Sequence, residues 1–355
     1  MNQNLYVDIH VIQTVPPSCV NRDDTGSPKT ATYGGTNRAR VSSQAWKRAT
    51  REAMRMYYPE QHIGIRTKNV VEQLMNSIMK LDIAMANDTE ATKALAIDAL
   101  KLAGISIKEK DNKSDSLVFV SYEQLDALAA VALADDSAKE DYKLTLMDQH
   151  SIDIALFGRM VAATPDLNSD AAAQVAHAIS THAVRNEYDF FTAVDDCNAS
   201  GAGHLDVAEF NSSTLYRYAT VNVRALAELL GEQTPSAVAA FVDTFATCMP
   251  TGKQNTFANR TLPDAVYITL RKDQPINLVG AFESPITSKD GYAAKSISRL
   301  VEYAKGMYAT FADIPAASWA VGTSNVLEEL APCGTFKDAL KEIKAAVAEG
   351  MEEVE

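Results

Sequence analysis

Cations concentrated between residues 22 and 55 are the side chains with the clearest chemistry. This segment holds eight basic and three acidic residues, a net charge of +5, whereas the remaining 25 basic and 43 acidic residues give −18. Lys47, Arg51 and Arg55 recur every fourth residue and therefore form one stripe on a predicted helix. Like charges at this spacing destabilise a bare helix by about 0.3 kcal/mol per pair, and an anion lying along the stripe reverses that effect. The stripe predicts a polyanion-binding surface, although an ordinary solvated basic face fits the charge count equally well.

Two glycine-containing loops are further candidates for contact with phosphate groups. The first is Tyr33-Gly34-Gly35, which is followed by Arg38 and Arg40 but lacks the Gly-Lys-Ser/Thr ending of a P-loop. Its glycines permit a close backbone approach to a ligand, and a tight turn explains them equally well. The second is the polar loop 251–256, whose backbone N–H groups and single lysine, Lys253, suit a phosphate.

The sequence contains no residue set that defines an active site. The four cysteines form no C-x-x-C pair and no zinc-type spacing, and no Ser-His-Asp or Cys-His set can be assembled. His10 is the best candidate for a general base, and Asp23 with Asp24 for a magnesium ion. A structural histidine and a stabilised turn are the favoured interpretations of these residues. We therefore expect no catalytic residue, no cofactor and no bound metal.

The basic segment is predicted to follow a strand and to end in a helix. Leu5–Val11 alternates apolar and polar residues, which predicts a half-buried strand with His10 on its polar face. A long polar loop, 16–40, comes next. Ser42 or Ser43 is expected to cap the helix by accepting a first-turn N–H. The predicted buried face of the helix consists of Trp46, Ala49, Ala53 and Tyr57.

The rest of the chain is predicted to alternate between helical and extended regions. Residues 59–185 are rich in Ala and Leu and mostly helical, with a polar interruption at 108–116. Extended residues at 188–194 and 215–223 flank a turn-rich stretch, 195–203, and predict a long irregular hairpin. A strand at 265–270 and helices at 293–311 and 336–348 follow. This mixture favours an α+β core, and the split βαβ arrangement of RNA-recognition folds is one such core.

Several longer runs of the sequence resemble one known family. These runs are 17–26, Gly34-Gly35, 38–49, 153–160, 191–196 and 213–222 with its Tyr-Arg-Tyr centre. In composition, order and spacing they resemble the CasC-type backbone subunit of Cascade, the type I-E CRISPR complex. The likeness covers nearly the whole chain, with 62–145 alignable only as a helical block.

The resemblance implies a hand-like subunit in three parts. A palm with an RRM-like (ferredoxin-like) fold is expected from 1–58 and 182–355, helical fingers from 59–181, and a β-hairpin thumb at about 188–215 within the second part of the palm. In that family, several copies polymerise head to tail along a guide RNA, and each thumb displaces a base at the next subunit.

The resemblance also implies which residues contact RNA. The expected backbone contacts in the palm are Ser42, Gln44, Lys47 and Arg51, with Lys29, Arg38 and Arg40 as neighbours. The expected apolar wedge beside displaced bases is Met160, Phe191 and Leu205. The expected second backbone contact is Gly252, Lys253 and Gln254.

We therefore predict a guide-RNA-binding scaffold for antiviral defence that is not itself an enzyme. Its expected partners are the crRNA guide, the target DNA strand paired to it, other copies of the chain, and the small, large and repeat-end-capping Cascade subunits. No apolar run approaches the roughly 20 residues of a membrane span, which predicts a cytoplasmic protein without membrane contact. Two alternatives stay open: an RRM-fold endoribonuclease using His10 or Asp23/Asp24, and a small-molecule enzyme or plain globular domain with a coincidental basic helix.

Overall fold

A computed structural model of the 355-residue chain describes residues 4–108, 110–134, 137–148, 150–161, 164–194, 197 and 202–352, with the backbone alone at 194 and 202–204. The strands are β1 Tyr6–Ser18, β2 Thr30–Tyr33, β3 Thr36–Val41, β4 Ile65–Thr67, β5 Ile107–Lys108, β6 Lys113–Ser114, β7 Val118–Val120, β8 Ala173–Val175, β9 Ala178–Ser180, β10 Glu187–Val194, β11 Ala202–Asn222, β12 Ala265–Arg271 and β13 Ala317–Gly322. The α-helices are α1 Ser43–Ala53, α2 Val70–Leu81, α3 Thr89–Leu102, α4 Tyr122–Leu133, α5 Lys139–Met147, α6 Ile152–Phe157, α7 Val223–Leu230, α8 Thr234–Thr247, α9 Gln254–Phe257, α10 Ala293–Thr310 and α11 Phe336–Glu352. Two compact units result: unit one is Met1–Ala53, Val175–Asn222 and Val238–Glu355, and unit two is Met54–Gln174 and Val223–Ala237.

Unit one is built on an antiparallel sheet with β1 in its interior. The strands follow the order β13-β12-β1-β11-β9-β3-β2, and β10 pairs with β11. β1 is antiparallel to both of its neighbours: Tyr6 lies opposite Asn222 of β11 and opposite Arg271 of β12. An antiparallel sheet combined with helices confirms the predicted α+β class.

Both faces of β1 are buried, so the prediction of a half-buried strand is wrong. One face packs against α10 and the 3-10 turn Leu278–Phe282. Asp8 and His10 point to this face and are 0% and 1% exposed. The Tyr218 hydroxyl donates to Asp8 Oδ1 at 2.9 Å, and the Tyr216 hydroxyl lies 2.9 Å from His10 Nδ1. Tyrosines of the neighbouring strand thus satisfy polar groups that the sequence pattern assigned to solvent.

The other face of the sheet is closed by α1 and α8 around a buried arginine. The guanidinium of Arg217 on β11 lies 3.7 Å from the centre of the Trp46 ring of α1 and 4.7 Å from that of the Phe245 ring of α8. It donates to Gln13 Oε1 at 2.6 Å and to the carbonyl oxygens of Phe245 and Ala246. Burial lowers the pKa of Arg217 to about 10, so the group stays charged at neutral pH. Ring faces and carbonyl oxygens replace its water and fix α1 on the sheet.

α1 begins where the sequence predicts but ends earlier. The Ser42 hydroxyl accepts a first-turn N–H at 3.4 Å, which confirms the predicted cap. The buried residues of the helix are Trp46 and Thr50. Tyr57 is 46% exposed and follows the end of the helix at Ala53, so its assignment to the buried face is wrong.

The predicted loop 16–40 contains regular structure. β1 continues to Ser18, and β2 and β3 form a hairpin joined by Gly34 and Gly35. These glycines have φ of +56° and +73°, as a two-residue type I′ turn requires. A Cβ on Gly34 would also lie 1.6 Å from the carbonyl oxygen of Glu283. The glycines are therefore explained by a tight turn and close packing.

A long hairpin and three later elements agree with the sequence pattern. β10 pairs with the first half of β11, from Glu187 opposite Phe210 to Val194 opposite Ala202. The second half of β11 pairs with β1. The predicted turn, 195–203, lies largely outside the described residues. The predicted strand at 265–270 and helices at 293–311 and 336–348 are confirmed as β12, α10 and α11.

Unit two is mainly helical. α2, α3, α4 and α5 enclose one apolar core together with β7, and the polar interruption at 108–116 holds the short β5–β6 hairpin. Arg159 is buried there and donates to Leu167 O at 2.8 Å, Gln124 Oε1 at 3.2 Å and Leu146 O. α7 also belongs to this unit, although the sequence pattern does not indicate it. Within the described part of the chain, no helix is long and apolar enough to cross a membrane.

Candidate nucleic-acid interface

The N-terminal turn of α1 is the centre of the candidate interface. The backbone N–H of Ser42 donates to Asn21 Oδ1 at 2.9 Å, so the segment between β1 and β2 fixes where the helix starts. The first turn carries no acidic residue. The partial positive charge of the helix N-terminus is therefore not offset by a carboxylate within that turn. Gln44 in this turn is exposed, whereas Ser42 is 6% exposed.

A second loop lies against the residues that follow β1. A Cβ on Gly252 would sit 2.1 Å from the carbonyl oxygen of Val20, so this contact requires glycine. The next residue, Lys253, has φ of +44°. Its charge reaches the Cys19 thiol, whose pKa is raised by burial and lowered by Lys253. Because Asn21 comes directly after Val20, this loop and the start of α1 meet at the same short segment.

Of the three cations in the predicted stripe, Lys47 and Arg51 lie on α1. Lys47 is half-buried, and burial lowers its pKa. The Arg51 side chain is 17% exposed and lies 3.9 Å from Glu52. The predicted third member, Arg55, follows the end of the helix in a 3-10 turn and lies 3.7 Å from Glu60. The prediction that all three cations lie on one helix is therefore wrong for Arg55.

Lys29 and Arg40 form a second cationic group. The Arg40 N–H donates to the Lys29 carbonyl, and the Lys29 N–H donates to the Asn21 carbonyl, both at 2.9 Å. Arg40 Nη1 lies 3.4 Å from Nδ1 of His177, and Arg40 Nε donates to Thr30 O at 3.1 Å. Asn21 therefore connects this group to the start of α1.

Arg38, a predicted neighbour of the RNA contacts, has a packing role in the structure. Its side chain is fully buried. Nε donates to Thr36 Oγ1 at 2.8 Å, Nη1 to Ser180 O at 2.9 Å, and Nη2 to Phe282 O at 2.9 Å and Glu283 O at 3.2 Å. Strands alternate their side chains, so Arg38 and Arg40 point the same way along β3, but β9 and the 282–283 segment cover only Arg38. Its role is to hold these segments together.

The residues of the predicted apolar wedge do not share one face of the hairpin. Phe191 lies opposite Asp206, and Leu205 lies opposite Thr192, so Phe191 and Leu205 are on opposite faces. Leu205 instead shares its face with Tyr188, Phe190 and Val207; in chain order the four are 68%, 65%, 59% and 51% exposed. Met160, the third predicted member, is 81% exposed and belongs to unit two.

The candidate catalytic residues have structural surroundings. Burial lowers the pKa of His10 to about 3, so this ring is neutral and inaccessible to a substrate. Asp23 Oδ1 accepts hydrogen bonds from the Thr25 N–H at 2.9 Å, the Thr25 hydroxyl at 2.7 Å and the Ser27 N–H at 3.0 Å, which stabilises a turn. Among the residues that the structure describes, no group of three His, Cys, Asp or Glu side chains is suited to a metal ion.

Two residues of the interface were missed in the sequence. Asn21 lies in the run 17–26 that carries the family resemblance, but the sequence did not predict that its side chain positions α1. His177 was not among the predicted site residues, yet it contacts Arg40. Two features leave no local signal in the sequence. One is an Asn that caps a helix from a distant segment, and the other is the pairing between β9 and β3. Only the family resemblance placed residues 17–49 and 252–254 in one site.

Comparison with known proteins identifies the family. A family described as CT1975-like protein matches residues 7–347, and the chain belongs to it. One similar solved structure is a chain of a "CRISPR RNA-guided surveillance complex, pre-nicking", with 31% identity and a TM-score of 0.81 over 96% of this chain and 100% of that one. Another is a chain of a "CRISPR RNA-guided surveillance complex", with 31% identity and a TM-score of 0.65 over 96% and 99%. No curated protein sequence matches. The resemblance stated from the sequence is thus confirmed at the level of the family.

Proposed function

We propose that this chain is a guide-RNA-binding backbone subunit of a Cascade-type CRISPR complex and has no catalytic role of its own. The observation that carries the proposal is the meeting of the α1 N-terminus and the Gly252-Lys253 loop at residues 19–21. Lys47 and Arg51 extend along the same helix. Helix N-terminal amides, a glycine-flanked lysine and helix cations all suit phosphate oxygens, and none of them reads a base. A subunit that carries variable guides needs this kind of contact.

The strand connections support an RRM-type palm as part of this proposal. β1 and β9 are parallel, joined through α1, and have β11 between them. β11 and β12 are likewise parallel, joined through α8, and have β1 between them. Two interleaved split βαβ units with both helices on one face form the ferredoxin-like arrangement. RNA-recognition sheets stack bases on the opposite face, but α10 covers that face here, which favours contacts along α1 and the loops instead.

The proposed partners follow from the same family membership. They are the crRNA, the target DNA strand paired to it, further copies of this chain along the RNA, and the small, large and repeat-end-capping subunits. The hairpin face of Tyr188, Phe190, Leu205 and Val207 offers an apolar surface to bases or to a neighbouring copy.

Co-expression tests the proposal. The chain is produced with its partner subunits and a CRISPR array, and the purified material is sequenced for RNA. We expect a large complex with uniform, repeat-derived RNA. Lys47→Gln should reduce the recovered RNA several-fold, whereas Lys341→Gln, on an exposed lysine of α11, should not. A nucleic-acid-free monomer from the wild-type chain would contradict the proposal, and RNA cleavage abolished by Asp23→Ala would contradict its non-catalytic part.

A further inference from the structure

The cationic group beside β3 has a third member that the family resemblance did not supply. His177 is exposed and contacts Arg40, and the charges of Arg40 and Lys29 both act on its ring. None of these three side chains has a carboxylate partner in the described ranges of the chain. Three groups able to carry positive charge therefore act on one another without an anion, which is electrostatically unfavourable unless a ligand provides one.

The contact between the arginine and the histidine fixes the tautomer of the ring. A guanidinium has donors only, so at 3.4 Å the Nδ1 of His177 must accept from Arg40 Nη1. The free ring is then neutral, and Nε2 carries its single proton. Partial burial, followed by Arg40 and then Lys29, lowers the pKa of His177 below its usual value near 6.5. In the absence of an anion, these neighbours oppose protonation.

We propose that Lys29, Arg40 and His177 form a binding site for one phosphate of the RNA backbone, and that His177 takes up a proton when the phosphate binds. This inference rests on the proposed RNA-binding function and extends it to one more residue. The incoming negative charge offsets the two cations, and Arg40 turns from the ring to the phosphate. Nδ1 is then free to accept a proton from solvent, which gives the ring a donor on each side.

Proton uptake makes RNA affinity dependent on pH. Coupling between the two ligands is reciprocal, so a phosphate that favours the charged ring is itself bound more tightly when the ring is charged. Affinity should rise as pH falls through the pKa of the bound state, at most about tenfold per pH unit for one site, and level off below the pKa of the free state. Above the bound-state pKa the neutral ring still donates through Nε2, and affinity should be constant.

Fluorescence anisotropy with a labelled oligouridylate tests the site. The wild-type chain should bind several-fold more tightly at about pH 6 than at about pH 8. His177→Gln retains an acceptor for Arg40 and a donor for the phosphate but cannot become charged. It should match the wild type within about twofold at the higher pH and lose the gain at the lower pH. The control is His62→Gln, a partly exposed histidine of unit two paired with Glu123, and it should keep the wild-type profile.

Calorimetry in two buffers of different ionisation enthalpy gives an independent readout of the protons bound. Wild type should take up a measurable fraction of a proton per subunit near neutral pH, and His177→Gln close to none. Equal uptake by the two proteins, or wild-type binding without a pH response, would overturn the phosphate-linked protonation of His177 and leave RNA binding intact. Failure of the wild type to bind RNA at every pH would instead overturn the proposed function together with this site.

Discussion

Two titratable side chains on β1 oppose each other in their effect on stability. Burial raises the pKa of Asp8 from 3.8 to about 6, even though Tyr218 and the Ile276 N–H donate to its carboxyl group. The protonated acid is therefore favoured in the folded state. Its stabilisation is complete below about pH 4 and is lost as pH rises through about 6, a change of about 3 kcal/mol. Burial lowers the pKa of His10 to about 3, so the folded state favours the neutral ring. The stabilisation from His10 is therefore gained as pH rises, whereas that from Asp8 is lost.

Asp8→Asn should leave His10 as the titrating group of this pair, so that the contribution of His10 to stability can be measured. The amide retains an acceptor for Tyr218 but does not titrate, so the variant should become more stable relative to wild type as pH rises from about 4 to about 6.5. The measurement is urea unfolding at a series of pH values, with Asp290→Asn on an exposed loop as the control. Parallel pH profiles for Asp8→Asn and wild type would show that Asp8 has the same pKa in the folded and unfolded states.

At the scale of elements, the 252–254 loop packs directly on the main chain just after β1. An alanine Cβ at position 252 would overlap Val20 O at 2.1 Å and Val20 C at 2.6 Å, and both are main-chain atoms that cannot rotate away. Gly252→Ala should therefore cost about 1–3 kcal/mol of stability, or displace the loop and weaken RNA binding.

Gly306→Ala provides a matched control that is expected to raise stability rather than lower it. Gly306 lies within α10 with open space around its missing Cβ. Alanine there should stabilise the chain by about 0.5–1 kcal/mol, because it restricts the unfolded backbone and favours the helix. Thermal unfolding and RNA affinity are measured for both variants. If Gly252→Ala matches wild type in both measurements, the packing of the loop on residues 19–20 is not required.

The elements best predicted from the sequence are those defined by their own residues. The periodicity of 293–311 and 336–348, the alternation at 265–270 and the cap at Ser42 depend on local spacing, and all correspond to real elements. The errors involve distant partners. Asp8 and His10 seemed solvent-facing because the tyrosines that bury them are about 200 residues away. Arg38 seemed available because the carbonyls that bind it come from β9 and from 282–283.

At the scale of the whole molecule, binding of a polyanion to a chain of net charge −13 depends on where the cations lie. The acidic remainder repels RNA at long range, and this repulsion is screened by salt, as is the local attraction. The interface has five partly buried cations, which are Lys29, Arg40, Lys47, Arg51 and Lys253. With a slope near −0.7 per phosphate neutralised on a single strand, five contacts would give a slope of roughly −3.5 for log K against log salt concentration.

The salt dependence separates arginines that bind RNA from those that hold the fold. Arg51→Gln removes one proposed phosphate contact, so the slope should become less steep by roughly 0.7 while the unfolding temperature changes little. Arg38→Gln removes donors from buried carbonyl oxygens, so it should lower the unfolding temperature and leave the slope of the remaining folded protein unchanged. Affinity of an oligouridylate is measured over a salt series, alongside thermal unfolding. A shallower slope for Arg38→Gln with normal stability would place Arg38 on the RNA after all. Because each variant carries the same acidic surface as the wild type, the difference in slope between the two reports the contact that the substitution removes.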